Sequence, residues 1–203
     1  GSLDRLRDAD PNDAAVLFMA GHAQTIPDGW YFPGHELLRL DDARHVAEVG
    51  ISAEALVAAL MRVPARRILL VIDACFSGAV LGPFERFAQR RAFHRIKQRT
   101  GVTVIAATRE DQLAPEFPQL GHGVTTAILI DGLGRGENGR LRADTDPADG
   151  NVTARELRAY VERTVPPVAQ TLSRTLGTRG VQGGSVPVTP VGLSWGENFQ
   201  LAR

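Results

Sequence analysis

Cys75, the chain's one cysteine, stands at the end of its most apolar stretch. Arg67-Ile68-Leu69-Leu70-Val71-Ile72 runs into Asp73-Ala74-Cys75-Phe76-Ser77-Gly78. A second apolar run, Ala14-Ala15-Val16-Leu17-Phe18-Met19-Ala20, ends in Gly21-His22. A thiol is a nucleophile once a base takes its proton, and an imidazole serves as that base and later as acid. His22 and Cys75 are 53 residues apart, room for one strand–crossover–strand unit. On two strand ends of one sheet they make a thiolate–imidazole pair. The backbone N–H groups of Ala23 and Cys75 are then candidates to bind the oxyanion of acyl transfer.

Each of these residues also has an ordinary reading. Free cysteines are usually small buried hydrophobes, and a histidine after a strand is often a satisfied polar end. The flanks of Cys75 argue otherwise, because Asp73 precedes it and Ser77-Gly78 follow it. Asp73 and Cys75 point to the same side of an extended chain. A carboxylate does not activate a neighbouring thiol, so Asp73 reads better as a recognition group for a substrate cation. Gly121-His122-Gly123 is a competing motif. It follows a polar loop with Pro115 and Pro118 rather than a strand, and it reads as a helix start. His35, His45 and His94 lie in polar contexts and read as surface residues.

The elements that must position this chemistry follow from the pattern. The run at 67–72 has the length and branching of a central buried strand. Val102-Thr103-Val104-Ile105-Ala106 reads as a third strand. Helices are expected from Ser52 (the N-cap) to Val63, stopped by Pro64, across Gly82 to Arg99, and from His122 to Leu133. Thr153-Ala154-Arg155-Glu156 is a capping box that opens a helix to about Val165, closed by Pro166-Pro167. Leu3 to Asp10 reads as the tail of a helix. Gln24 to Val49 reads as a long surface loop rimming the site, and Gly183 to Arg203 as loop plus one short edge strand. Strands alternating with helices imply an α/β fold, a mostly parallel sheet with helices on both faces. Residues 1–203 are expected to form one domain, with one or two N-terminal strands absent from this chain or supplied by another segment.

Lys and Arg number 23, as do Asp and Glu, so composition implies no affinity for nucleic acid or an anionic membrane. One cysteine excludes an internal disulfide framework and a cysteine zinc site. With no membrane-length apolar run and no signal-peptide pattern, a reducing, cytoplasmic setting is expected.

Phe18-Met19-Ala20-Gly21-His22 together with Val71-Ile72-Asp73-Ala74-Cys75-Phe76-Ser77-Gly78 resembles the caspase and metacaspase clan, more closely the bacterial caspase-like peptidases. Asp28-Gly29-Trp30-Tyr31-Phe32, the segment from Gly121 to Ala127, and the Asp149-Gly150 to Tyr160 segment are similar to that family as well. The resemblance implies a caspase-like three-layer sandwich and a Cys–His dyad endopeptidase. Cys75 would be its nucleophile and His22 its partner. Asp73 would line an acidic pocket for a P1 Arg or Lys, and Asp111 would match a further acidic position of that pocket. Family members are often fused to sensor or repeat modules. Two departures stand out: Ala23 replaces the usual glycine after the histidine, and Ala20 stands where many relatives carry serine.

No cofactor is expected, with calcium the one ion left open. Some metacaspases require calcium, and Asp144, Asp146, Asp149-Gly150 and Glu156 look at first like a calcium loop. Their spacing is wrong, since Thr145 and Pro147 would fall at the first and third ligand positions. Arg86 to Arg99 offers several points for self-processing, or is a solvated basic helix. The expected partner is a peptide or protein substrate. A catalytically silent caspase fold acting as a regulatory module is the alternative, and a different Cys–His acyl transferase is a third reading.

Overall fold

The computed structural model describes residues 5–34, 42–94, 100–114, 117, 120–176 and 187–203. Its elements in chain order are β1 (Ala14–Ala20), β2 (Gln24–Ile26), β3 (Gly29–Pro33), α1 (Ala43–Val49), β4 (Gly50–Ser52), α2 (Ala53–Leu60), β5 (Arg67–Asp73), α3 (Leu81–His94), β6 (Gly101–Ala106), α4 (Val124–Leu133), β7 (Val152–Thr153), α5 (Ala154–Leu176), β8 (Val191–Gly196) and β9 (Gln200–Ala202). A 3-10 turn, Ser77–Val80, joins β5 to α3.

The branched run at 67–73 becomes the centre of a sheet ordered β1-β5-β6-β8 among the described residues. β5 is parallel to β1, from Ala14 opposite Arg67 to Ala20 opposite Asp73, and parallel to β6 on its other side. β8 closes the far edge antiparallel to β6. Six successive residues of β5, Ile68 to Asp73, are buried, as a strand covered on both faces requires. Ile68, Leu70 and Ile72 pack on Leu56 and Leu60 of α2 and on Phe84 and Phe87 of α3. Leu69 and Val71 pack on the opposite face, with Ile128 and Leu129 of α4 and Leu157, Val161 and Val165 of α5. The chain is therefore a three-layer α/β sandwich around a mostly parallel sheet. Each fully buried Leu, Ile or Phe contributes about 1.5–3 kcal/mol to holding the layers together.

β1 is the edge of this sheet among the described residues. Its inward residues, Ala15, Leu17 and Met19, join the core under α2 and α3. On its other face Val16 and Phe18 stay 53 % and 49 % exposed.

Several local signals act as expected. Ser52 Oγ accepts from Ala55 N at 3.1 Å and caps α2. Thr153 and Glu156 form a reciprocal capping box on α5. Three expectations are corrected. The stretch from Gln24 is not a loop but a hairpin, β2 and β3, turned at Pro27-Asp28 and anchored by Trp30, which is 2 % exposed. It is followed by α1 and β4; residues 35–41 lie outside the described part. Pro166-Pro167 does not end α5, which continues to Leu176. A proline inside a helix removes one backbone donor and costs stability. Val165 and Ala169 on either side are fully buried against the sheet, so packing outweighs that loss. The tail carries two strands, β8 and β9, rather than one. At the N-terminus Arg5 is helical and a 3-10 turn, Leu6–Asp8, follows it, in keeping with the end of a helix.

Candidate active site

Cys75 sits two residues past the end of β5, in a turn fastened from several directions. Ser77 and Thr108 are fully buried. Ser77 N donates to Thr108 Oγ1 at 3.2 Å, Thr108 N donates to Ser77 Oγ at 3.1 Å, and Thr108 Oγ1 donates to Ala74 O at 3.3 Å. This double clasp ties the exits of β5 and β6 together on both sides of the cysteine. Phe76 takes the left-handed conformation at φ 54°, a costly region for a residue with a side chain. It is held there by Phe76 N donating to Gln112 O at 2.8 Å and by packing of its ring on the core. Gly78 is required by close approach, because a Cβ would stand 2.7 Å from Glu110 N and 2.8 Å from the Arg109 carbonyl carbon.

The segment after β6 lies directly on Cys75. Ala114 N donates to Cys75 Sγ at 3.3 Å, and the sulfur lies 4.0 Å from Ala114 O. The Gln112 side chain anchors the segment, accepting from Arg109 N at 3.4 Å and from Thr189 N at 3.1 Å. Cys75 is half-buried, neither sealed in hydrocarbon nor open.

His22 comes to the same rim through the β1–β5 register. The ladder ends at Ala20 opposite Asp73, and Gly21 N donates to Asp73 O at 3.1 Å. The next residue is His22, while two residues beyond Asp73 is Cys75. The imidazole is exposed and has no hydrogen-bond partner among the described residues, Cys75 Sγ included. Ala23 is 4 % exposed, with its methyl in the core beneath the sheet. Neither Ala23 N nor Cys75 N donates to a protein acceptor among the described residues. Ala20 is exposed. His122 is exposed too and lies just before α4, with Nδ1 3.4 Å from Gly123 O.

Asp73 is 7 % exposed and already has a partner. Its Oδ2 accepts from Thr126 N at 3.0 Å and from the Thr126 hydroxyl. Asp111 differs from it. It is 70 % exposed and pairs with Arg109 at 3.7 Å, an exposed ion pair worth about 0–1 kcal/mol.

The acidic loop has its own internal logic. Asp144, 6 % exposed, accepts from Asp149 N and Gly150 N, both at 2.9 Å. Glu156, also 6 % exposed, accepts from Asp146 N at 3.0 Å and Thr153 N at 2.9 Å. Both carboxylates are committed to backbone donors that shape the turn. No group of three acidic, His or Cys side chains able to hold a metal ion occurs among the described residues.

Thr126, Thr108, Gln112 and Ala114 are site residues that sequence reasoning missed. Three of them are common polar or small residues in unremarkable contexts. Thr126 alone carried a signal: it is the third residue of a helix whose N-cap, Gly123, has no side-chain acceptor. Such a helix start needs an acceptor from elsewhere.

No helix among the described residues is long and apolar enough to cross a membrane. No known family profile matches the chain, and no curated protein matches it. Among solved structures, the crystal structure of protein GSU0716 from Geobacter sulfurreducens is similar at a TM-score of 0.48 and 16% sequence identity, with 97% of this chain and 72% of that one covered.

Proposed function

We propose that this chain is a cytoplasmic, caspase-like cysteine endopeptidase that cleaves after Arg or Lys. One observation carries the reading. The β1–β5 register ends level at Ala20 and Asp73, so Gly21-His22 and Cys75 leave the sheet side by side at the C-terminal rim. That rim is where open α/β sheets place their chemistry.

In this mechanism His22 takes the thiol proton and the Cys75 sulfur attacks the scissile carbonyl carbon. The free N–H groups of Ala23 and Cys75 receive the oxyanion. His22 returns the proton to the leaving amine as the C–N bond breaks. Water, deprotonated by His22, then attacks the thioester and releases the acid and the thiol. Asp73 holds the P1 cation. Asp111 contributes little, because Arg109 balances it.

The test is hydrolysis of fluorogenic peptides with Arg, Lys or Asp at P1. Turnover is expected with Arg and Lys, not with Asp, and is lost in Cys75→Ala. Turnover that survives Cys75→Ala overturns the assignment. A second reading, a silent fold used for binding, is favoured by the Ala114 N–H on the sulfur and by the prior commitment of Asp73. It requires basic peptides to bind wild type without being cut.

A further inference from the structure

Helix α4 lacks a cap of its own. Its N-cap residue is Gly123, which offers no side-chain acceptor, and the orphan N–H of Thr126 is three residues in. The acceptor comes instead from β5, fifty-three residues earlier: Asp73 Oδ2 takes both the Thr126 N–H and the Thr126 hydroxyl. The N-cap is thus split between two parts of the chain. Gly123 supplies the turn and Asp73 supplies the carboxylate. The two choices are interlocked, because a Cβ on Gly123 would stand 2.8 Å from both Asp73 Cγ and Asp73 Oδ1. A side chain at the N-cap would fill the space that the carboxylate uses.

The consequence falls on the two oxygens unequally. Oδ2 already accepts two hydrogen bonds. Oδ1 accepts none among the described residues, although the residue is 7 % exposed. A guanidinium binds a carboxylate best with two parallel N–H···O bonds, one to each oxygen, whereas an ammonium needs only one acceptor. With Oδ2 occupied, the fork has one oxygen to use.

We infer that Thr126 is a positioning residue which fixes Asp73 as a single-oxygen acceptor, so that the pocket treats Lys and Arg nearly alike. The inference rests on the reading of Asp73 as the P1 anchor. It is tested without chemistry, in the Cys75→Ala protein, by calorimetric titration with the methylamides of N-acetyl-arginine and N-acetyl-lysine. The two affinities are expected to agree within about threefold. Thr126→Val keeps the backbone N–H but removes the hydroxyl, freeing a lone pair on Oδ2. Arginine is then expected to gain over lysine by about fivefold, as bidentate pairing becomes available. Thr126→Ser restores the hydroxyl and with it the original ratio. If Thr126→Val does not fold, Thr126→Ala removes the same hydroxyl with no added methyl.

An unchanged ratio in the hydroxyl-less variant overturns the inference, as does binding of neither ligand to the Cys75→Ala protein. A ratio that moves as expected in a protein that hydrolyses no peptide upholds the inference and removes only the protease reading. A merely structural cap would lower the melting temperature in Thr126→Val and leave the ratio where it was.

Discussion

The two strand tips that make the candidate dyad are built to opposite specifications. At the tip of β5, Asp73, Cys75, Phe76 and Ser77 each have a fixed partner: Thr126, Ala114, Gln112 and Thr108. At the tip of β1, among the described residues, only Gly21 is tied down, and His22 is exposed and unheld. Both strands have seven residues and both end in a turn, so length does not explain the contrast. Position does. β5 is paired on both edges and covered on both faces, and its exit is surrounded by elements that can bond to it. Among the described residues β1 has one paired edge and one bare face. In the proposed mechanism the central strand would hold the nucleophile in place, and the edge strand would leave the base free to move between sulfur, leaving amine and water. Rigidity belongs where attack geometry matters, because effective concentration depends on it.

The comparison breaks most visibly in activity. His22→Ala is expected to lower kcat by about 10²–10⁴-fold, the range for a lost acid–base group, while His122→Ala stays within about threefold. Steady-state hydrolysis of an Arg-P1 peptide decides it, and the reverse order would transfer the base to the start of α4. In stability the contrast runs the other way, with β5 the sensitive strand. Leu70→Ala, fully buried, costs about 2–5 kcal/mol. Phe18→Ala, with its ring half exposed, costs about 1 kcal/mol or less by surface-like behaviour. Urea unfolding of the two variants sharpens or erases the difference. Thr108→Val leaves Ser77 N–H and Ala74 O without partners in a buried place, and about 1–3 kcal/mol should be lost. Calorimetry gives the shift, and a loss near zero would show that the clasp does not stiffen the turn at Cys75. The smallest effect is expected at Asp111→Asn, within about 0.5 kcal/mol in stability and with unchanged P1 preference. A lost preference for basic P1 residues would place Asp111 in the pocket with Asp73.

Much of this was legible because it is local. The branching of residues 67–72, the hydroxyl of Ser52 before a periodic run, and the Thr153–Glu156 pair act on backbone groups within a few residues, so their sequence spacing is their structural meaning. The prolines at 166–167 misled for the same reason: their local penalty is real, but Val165 and Ala169 are held by a sheet that is distant in sequence. The hairpin at 24–33 was hidden because its strands are short and its anchor, Trp30, gains its value only from the core it enters.

By itself the sequence determined the layers and the two strand ends that carry Cys75 and His22, because hydrophobic period and strand length are written along the chain. Only the tertiary structure decided what those ends would face. The partner of Asp73 lies 53 residues away and that of Cys75 lies 39 away. Such hydrogen bonds follow from which elements the core packs side by side, and no local spacing encodes them.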